Sequence, residues 1–376
     1  MNRGSLLYLE PLGIPGGMGE YNDQLAAAYA AAGYRVSVLT QSASRVLAEH
    51  VSVTRSRAYL VAFNTRHWRI IRGIAYALGN FGAVRRALGN EVVVLHFFHS
   101  PSVDYFMLWA MKAAGKRVIL VAHDPRPTGR GRVTAAYRAC LRFVDVLVVH
   151  GEYARRDLLK LGVDPTRVVV APFGEFRSTD ALPNDQAEAV LGLGACNRPV
   201  AAIIGNMKRG KGVNRAMEAL DVPDSPIRTL ALIGAAQGLT EVDEPLKSGT
   251  KYLTVIRVAK RLTEEEEVAA YSLADVVLTL YESGYSSGVV ARAHAIGVPV
   301  IMTDVGDLRA QARANDCVVS AGYRGDELIA GVRSVLETTP TAWSDRSDKI
   351  EGEPSWMCHV ARVTLALSQR AAPRSS

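Results

Sequence analysis

This sequence predicts an α/β protein made of two doubly wound parallel-sheet units in tandem. Short runs of Val, Ile and Leu alternate with helical patterns from end to end. Runs without a polar alternate suit strands covered by helices on both faces, and strands of that kind pair in parallel. A polar, proline-bearing stretch, GEFRSTDALPNDQAE at 174–188, divides the series in two. The length of 376 residues is roughly two to three times the usual single-domain size, which fits that division.

In chain order, the first unit's strands are expected at Leu6–Leu9, Arg35–Thr40, Val92–Phe97, Arg117–Val121, Val144–Val149 and Val168–Ala171. NDQLAAAYAAAGYR and EYARRDLLKLG lie between them, apolar at i, i+3 and i+4 and closed by glycine, as helices are. Strands resume at Ala201–Gly205, Thr229–Ile233, Leu253–Arg257, Val276–Leu280, Val298–Met302 and Cys317–Ser320. These runs give a first domain over 1–180, a second over 181–345, and a last helix within 346–376 that returns to the first domain before a disordered tail. Doubly wound sheets bind ligands outside the carboxyl ends of their strands, so two such units facing each other would form a cleft between domains.

Composition narrows the classes. Apolar residues make up 48% and charged residues 22%, ordinary globular values that exclude disorder as the main state. Four scattered cysteines with no CxxC pair exclude a disulfide scaffold and suggest four buried thiols in a reduced, cytoplasmic protein. The opening MNRGSLLYLEP lacks the long apolar core of a signal peptide, and no apolar window is long enough to span a membrane. Residues 1–190 hold 23 basic against 15 acidic residues, whereas the remainder holds 21 against 22. The first half therefore carries the whole net charge of +7 and should meet something anionic.

Four loops can carry chemistry. After the first strand, Gly16 and Gly17 precede a helix expected to start near Glu20 or Tyr21, where backbone N–H groups can meet a ligand. The spacing is GGxG, and no acid follows the second strand, so the dinucleotide fingerprint is not met. His123 closes the strand RVILVAH, placed to face a cleft or to cap the loop with Asp124. In GNMKRGKGVNRAMEAL, Lys208, Arg209 and Lys211 cluster between Gly205 and a helix start, an anion site suited to phosphate but not the GxxxxGK[ST] loop. In LYESGYSSGVV, Tyr281 and Glu282 precede Ser286, Ser287, Gly288 and Val289 at another helix start. That helix start offers donors to a diphosphate, and Glu282 an acceptor for sugar hydroxyls.

Taken together, PGGMGEYNDQLAAAYAAAGYRVSVLT, HGEYARRDLLKLGVDPTRVVVAPFGEF, GNMKRGKGVNRAMEAL and ADVVLTLYESGYSSGVVARAHAIGVPVIMTDVGDL resemble the retaining glycosyltransferases of family 4. The resemblance covers nearly the whole chain and implies the GT-B fold, two facing Rossmann-like domains. It places a nucleotide-sugar donor, UDP- or GDP-linked, in the second domain and the acceptor in the first, with no other cofactor. The family's basic pair on the donor diphosphate falls on Lys208 and Lys211, its acceptor-side glycines on Gly16 and Gly17, and its sugar-facing histidine on His123. The two glutamates that the family carries with seven residues between them are replaced by Gly284 and Arg292. The loop Tyr285-Ser286-Ser287-Gly288-Val289 looks like a variant branch with a serine-rich SxSGV-type turn, and Glu282 stands nearest to the first missing acid.

The implied activity is transfer of a sugar with retention. No D-x-D triplet occurs, so a metal-bridged diphosphate is not expected. The expected acceptor is a glycan or lipid-linked precursor at the inner face of the plasma membrane. In support of that location, TRHWRIIRGIAYALGNFGAVRRALGN combines Arg66, Arg69, Arg72, Arg85 and Arg86 with Trp68, Ile70, Ile71 and Phe81, a basic amphipathic pattern suited to an anionic membrane surface. Two other readings stay open: an inactive partner subunit, and a transferase acting on a soluble small molecule. Nucleic acid is not an expected partner, because aromatic residues do not interleave with the basic ones.

Overall fold

The computed structural model describes residues 3–13, 17–41, 51–64, 66–126, 133–177, 179–235, 249–338 and 355–371. Two compact units emerge, Met1–Gly174 with Glu353–Ser376, and Glu175–Gly352. The break falls just after Gly174, at the start of the polar stretch 174–188.

The first unit contains β1 (Ser5–Glu10), α1 (Gly17–Ala31), β2 (Arg35–Thr40), β3 (Val51–Arg55), α2 (Arg57–Phe63), α3 (Arg69–Ala87) and β4 (Val92–Leu95). It continues with α4 (Pro101–Ala113), β5 (Arg117–Val121), α5 (Ala135–Phe143), β6 (Val146–Val149), α6 (Glu152–Lys160) and β7 (Val168–Val170). All strand pairs are parallel, in the order β3-β2-β1-β4-β5-β6-β7. The order reverses between β1 and β4, which makes their carboxyl ends the switch point. Every residue of β4 and β6 is buried, as helix layers on both faces require.

α3 is inside out. Its inner face carries Ala75, Tyr76, Gly79, Asn80, Ala83 and Ala87. Tyr76 and Asn80 donate to the Asp104 carboxylate of α4 at 2.5 and 3.0 Å, and Tyr59 of α2 donates to Asn80 at 3.0 Å. Burial pushes the Asp104 carboxyl up to about 6. With the polar side chains satisfied inward, the large apolar ones point out: Ile70 is 75% exposed and Phe81 72%, with Ile74 and Leu78 on the same face.

The second unit contains α7 (Asn184–Leu191), β8 (Val200–Ile204), α8 (Val213–Leu220), β9 (Thr229–Ile233), β10 (Thr254–Val258) and α9 (Glu264–Ser272). It continues with β11 (Val276–Thr279), α10 (Gly288–Ile296), β12 (Val300–Thr303), β13 (Cys317–Val319) and α11 (Gly325–Thr338). Its strands are also all parallel, in the order β10-β9-β8-β11-β12-β13, with apolar clusters on the two faces of the sheet. Here the switch point lies between β8 and β11. α12 (Trp356–Ala371) belongs to the first unit, where Trp356, Val360, Val363 and Leu367 form one buried stripe packed on α1, β6 and β7.

Two expectations need correction. The first sheet has a seventh strand, β3, that the sequence pattern did not give. Of the four thiols only Cys140 is fully buried; Cys196 and Cys317 are half-buried and Cys358 is exposed. No described helix is long and apolar enough to cross a membrane.

Candidate functional site

In the second unit the sequence-predicted donor residues converge at the switch point between β8 and β11. β8 ends at Ile204, and Gly205 turns the chain with φ +100°. The loop returns through Gly212 at φ +73°, where a Cβ would lie 2.2 Å from the Leu280 carbonyl oxygen, so only glycine lets the loop lie against the end of β11. That return folds Lys211 inward until it is 8% exposed. Its ammonium donates to the Ile204 carbonyl at 3.2 Å and to Tyr281 Oη at 3.1 Å, and it sits 4.7 Å from the Tyr281 ring centroid. Among the described residues it has no carboxylate within ion-pair distance.

Tyr281 Oη is also hydrogen-bonded to Ser287 Oγ, 3.1 Å away, a contact that either hydroxyl can donate. Ser287 caps α10, its Oγ accepting from the Val289 N–H at 3.2 Å. Gln311 clamps this cap: the Ser287 N–H donates to Oε1 at 2.7 Å, and Nε2 donates to the Ser287 carbonyl at 3.1 Å. Burial pushes the Tyr281 pKa up, but the Lys211 charge, the Ser287 hydrogen bond and Lys208 outweigh it, and the pKa is lowered. The Ser286 hydroxyl oxygen is shut off from water and has no partner among the described residues. A buried cation without a counter-charge, a helix N-terminus and an orphan hydroxyl together suit an anion of the phosphate class.

The remaining donor-side candidates lie around this centre. Val289 approaches Gly205, and Gly288 opens α10. Lys208 is exposed, and its carbonyl accepts from the Lys211 N–H. Glu282 is exposed, and its N–H donates to the Gly210 carbonyl at 3.0 Å. Arg292, at a position where the resembled family has a glutamate, is 2% exposed and donates to the Arg177 carbonyl at 3.2 Å. Gln311 was not legible as a site residue: it sits in a short 3-10 turn, Arg309–Gln311, with no local motif.

In the first unit Gly16 lies outside the described residues. Gly17 opens α1, so the helix begins ahead of the expected Glu20. His123 is half-buried beyond the end of β5, and both of its ring nitrogens face other histidines: His96 Nδ1 lies 2.9 Å from Nε2, and His150 Nε2 lies 3.3 Å from Nδ1. Sequence reasoning passed over His96 and His150. The signal was present, since VVVLH, VILVAH and VLVVH are three strands that each run into a histidine. His359 of α12 stands 5.9 Å from the His150 ring and donates from Nδ1 to the Pro172 carbonyl at 3.3 Å. Burial lowers all these rings, His96 and His359 to about 3, His150 to about 4 and His123 well below its ordinary value, so they are neutral at neutral pH. No described cluster of His, Cys, Asp or Glu has the arrangement of a metal site.

With this geometry established, comparison with known proteins is informative. Residues 15–174 match the family described as Glycosyltransferase Family 4. D-inositol 3-phosphate glycosyltransferase of Corynebacterium urealyticum is 26% identical over 284 residues, which span 69% of this chain and 63% of that protein. HepE of Anabaena, solved with UDP-glucose, superposes with TM-score 0.72 at 16% identity, covering 98% of this chain and 100% of that one. Sucrose-phosphate synthase from Thermosynechococcus elongatus gives TM-score 0.70 at 17% identity over 98% and 99%. These likenesses show two Rossmann-like parallel-sheet domains of the GT-B class. The match over the first unit supports a glycosyltransferase of the family-4 type.

Proposed function

We propose that the chain is a retaining, metal-independent glycosyltransferase that draws a sugar from a UDP- or GDP-linked donor. The observation that carries this reading is Lys211, a buried ammonium held by Tyr281 and the Ile204 carbonyl with no carboxylate partner among the described residues. A nucleoside diphosphate would supply the missing negative charge. Lys208 would reach it from the loop, Ser286 Oγ would donate to it, and the N–H groups opening α10 at Gly288 and Val289 would cradle it. The HepE structure was solved with UDP-glucose, which supports a donor of that chemical class.

In the transfer, the glycosidic bond to the diphosphate breaks as the acceptor oxygen bonds to the same face of the anomeric carbon. The departing diphosphate oxygen takes the acceptor proton, and Lys211 and the α10 N–H groups stabilise the charge that develops on the phosphate. Glu282, exposed beside Gly210, would accept from hydroxyls of the donor sugar. His123 and the loop entering α1 at Gly17 would serve the acceptor side. Incubating the protein with UDP- and GDP-hexoses and a lipid-linked or glycan acceptor tests the reading. Retained anomeric configuration in product formed with a chelator present supports it. Transfer abolished by the chelator and rescued by Mg²⁺ or Mn²⁺ would overturn the metal-independent part.

The first unit would dock on an anionic membrane through α3, placing the enzyme on the inner face of the plasma membrane. Trp68 is 79% exposed beside the outward Ile70, Ile74, Leu78 and Phe81, and Arg66, Arg69, Arg85 and Arg86 flank them. Phe106 and Trp109 are exposed on the neighbouring α4. Each basic residue near such a surface contributes about 1 kcal/mol, and the attraction fades with salt. Replacing Ile70, Ile74 and Phe81 by Ser is expected to release the protein from anionic liposomes in co-sedimentation while leaving transfer to a soluble acceptor intact. Wild-type protein that stays in the supernatant at low salt would contradict the docking.

A further inference from the structure

We propose that His96, His123 and His150 form one hydrogen-bonded chain whose three tautomers are dictated by the Ala171 carbonyl, and that His150 and His123 thereby act as positioning residues for His96. The rings stand at the carboxyl ends of three adjacent strands, β4, β5 and β6, and Ala171 follows the next strand, β7. A carbonyl only accepts, so the 2.9 Å contact requires that His150 carry its proton on Nδ1. A neutral ring has a single N–H, and His150 Nε2 is therefore a bare acceptor. It faces His123 Nδ1 at 3.3 Å, and two bare nitrogens would repel, so His123 also carries its proton on Nδ1. His123 Nε2 is then an acceptor, and at 2.9 Å it takes the proton of His96 Nδ1.

Tyr21 of α1 seals this chain. Its ring meets His96, His123 and His150 edge-on at 5.7, 4.7 and 5.5 Å, and its hydroxyl, 3.3 Å from His150 Nε2, shares that nitrogen's one lone pair with His123 Nδ1–H in a bifurcated contact. The tautomer order ends on His96 Nε2. That nitrogen is out of water and has no partner among the described residues, on a ring only 3% exposed. It lies just beyond β4, at the first unit's switch point, where ligands of doubly wound sheets bind. His123 thus spends both nitrogens on its neighbours, and the chain's one open acceptor is His96 Nε2, suited to a ligand hydroxyl.

Imidazole nitrogen NMR of the labelled full chain at neutral pH tests the chain without any appeal to activity. The expected spectrum places the proton on Nδ1 in His96, His123 and His150. A proton on Nε2 in any of the three overturns the proposal, and this measurement on the wild type needs no variant to fold. In His150→Phe the lock is gone, so His123 and His96 are expected to move their protons to Nε2 together. Unchanged tautomers there would reduce His150 to packing. The positioning role rests on the transferase reading: His150→Phe is expected to lower kcat by roughly ten- to a hundredfold with the donor KM held within about twofold. Moved tautomers with unchanged kcat would remove the positioning role and leave the chain standing. Wild-type protein without transfer would instead count against the transferase reading, whatever the spectrum shows.

Discussion

Lys211→Ala is expected to weaken binding of UDP or GDP by about ten- to a hundredfold, the worth of roughly 1.5–3 kcal/mol for a hydrogen bond to a charged group. The fold is expected to survive, for a physical reason. Lys211 is 8% exposed and its charge has only a carbonyl and a phenol oxygen for company. Burying an ammonium without a counter-charge is costly, so removing it relieves the empty protein even as it removes the anion's partner. Calorimetric titration and a thermal melt of the same variant check both halves: lost affinity with an unchanged or raised Tm. Loss of Tm together with affinity would mark Lys211 as a structural residue.

Acid is expected to unfold the first unit far more steeply than the second. Five histidines there have pKa values lowered by burial: His96 and His359 to about 3, His99 and His150 to about 4, and His123 well below its ordinary value. A lowered histidine keeps its stabilising effect above the unfolded value near 6.5 and loses it as pH falls toward the folded value. Two buried carboxyls oppose this, Glu10 pushed up to about 7 and Asp104 to about 6, because the folded state binds their protons first. Near pH 5 the unfolded chain thus holds five extra histidine protons and the folded one two extra carboxyl protons. The balance of three costs up to roughly 4 kcal/mol per pH unit. At about 2–4 °C per kcal/mol for a unit of this size, Tm is expected to fall sharply between pH 6.5 and 4. A flat Tm across that window would show the cluster to be hydrated and charged.

Much of this was legible in the sequence, and the gaps have physical causes. Unbroken Val/Ile/Leu runs marked the central strands, because a strand covered on both faces has no polar alternate. β3 escaped because VSVTR is an edge strand with no buried residue and no apolar run. Lys211, Tyr281 and Ser287 could be singled out because strand ends and helix starts leave marks in local order. Gln311 was not, since its role depends on a turn brought back beside α10 by the fold. The basic apolar pattern at 65–90 was readable, but its outward orientation was not: that follows from Asp104, a distant residue that draws Tyr76 and Asn80 inward. The three histidines were each visible at a strand end, yet only the sheet order sets them side by side.

The most direct measurement of the central claim is calorimetric titration of UDP and of GDP into the full chain in the presence of a chelator. Saturable binding of one of them at one site per chain, weakened in Lys211→Ala, is the predicted result. No heat of binding from either nucleotide up to millimolar concentration would contradict the proposed diphosphate seat at Lys211, Tyr281 and the start of α10.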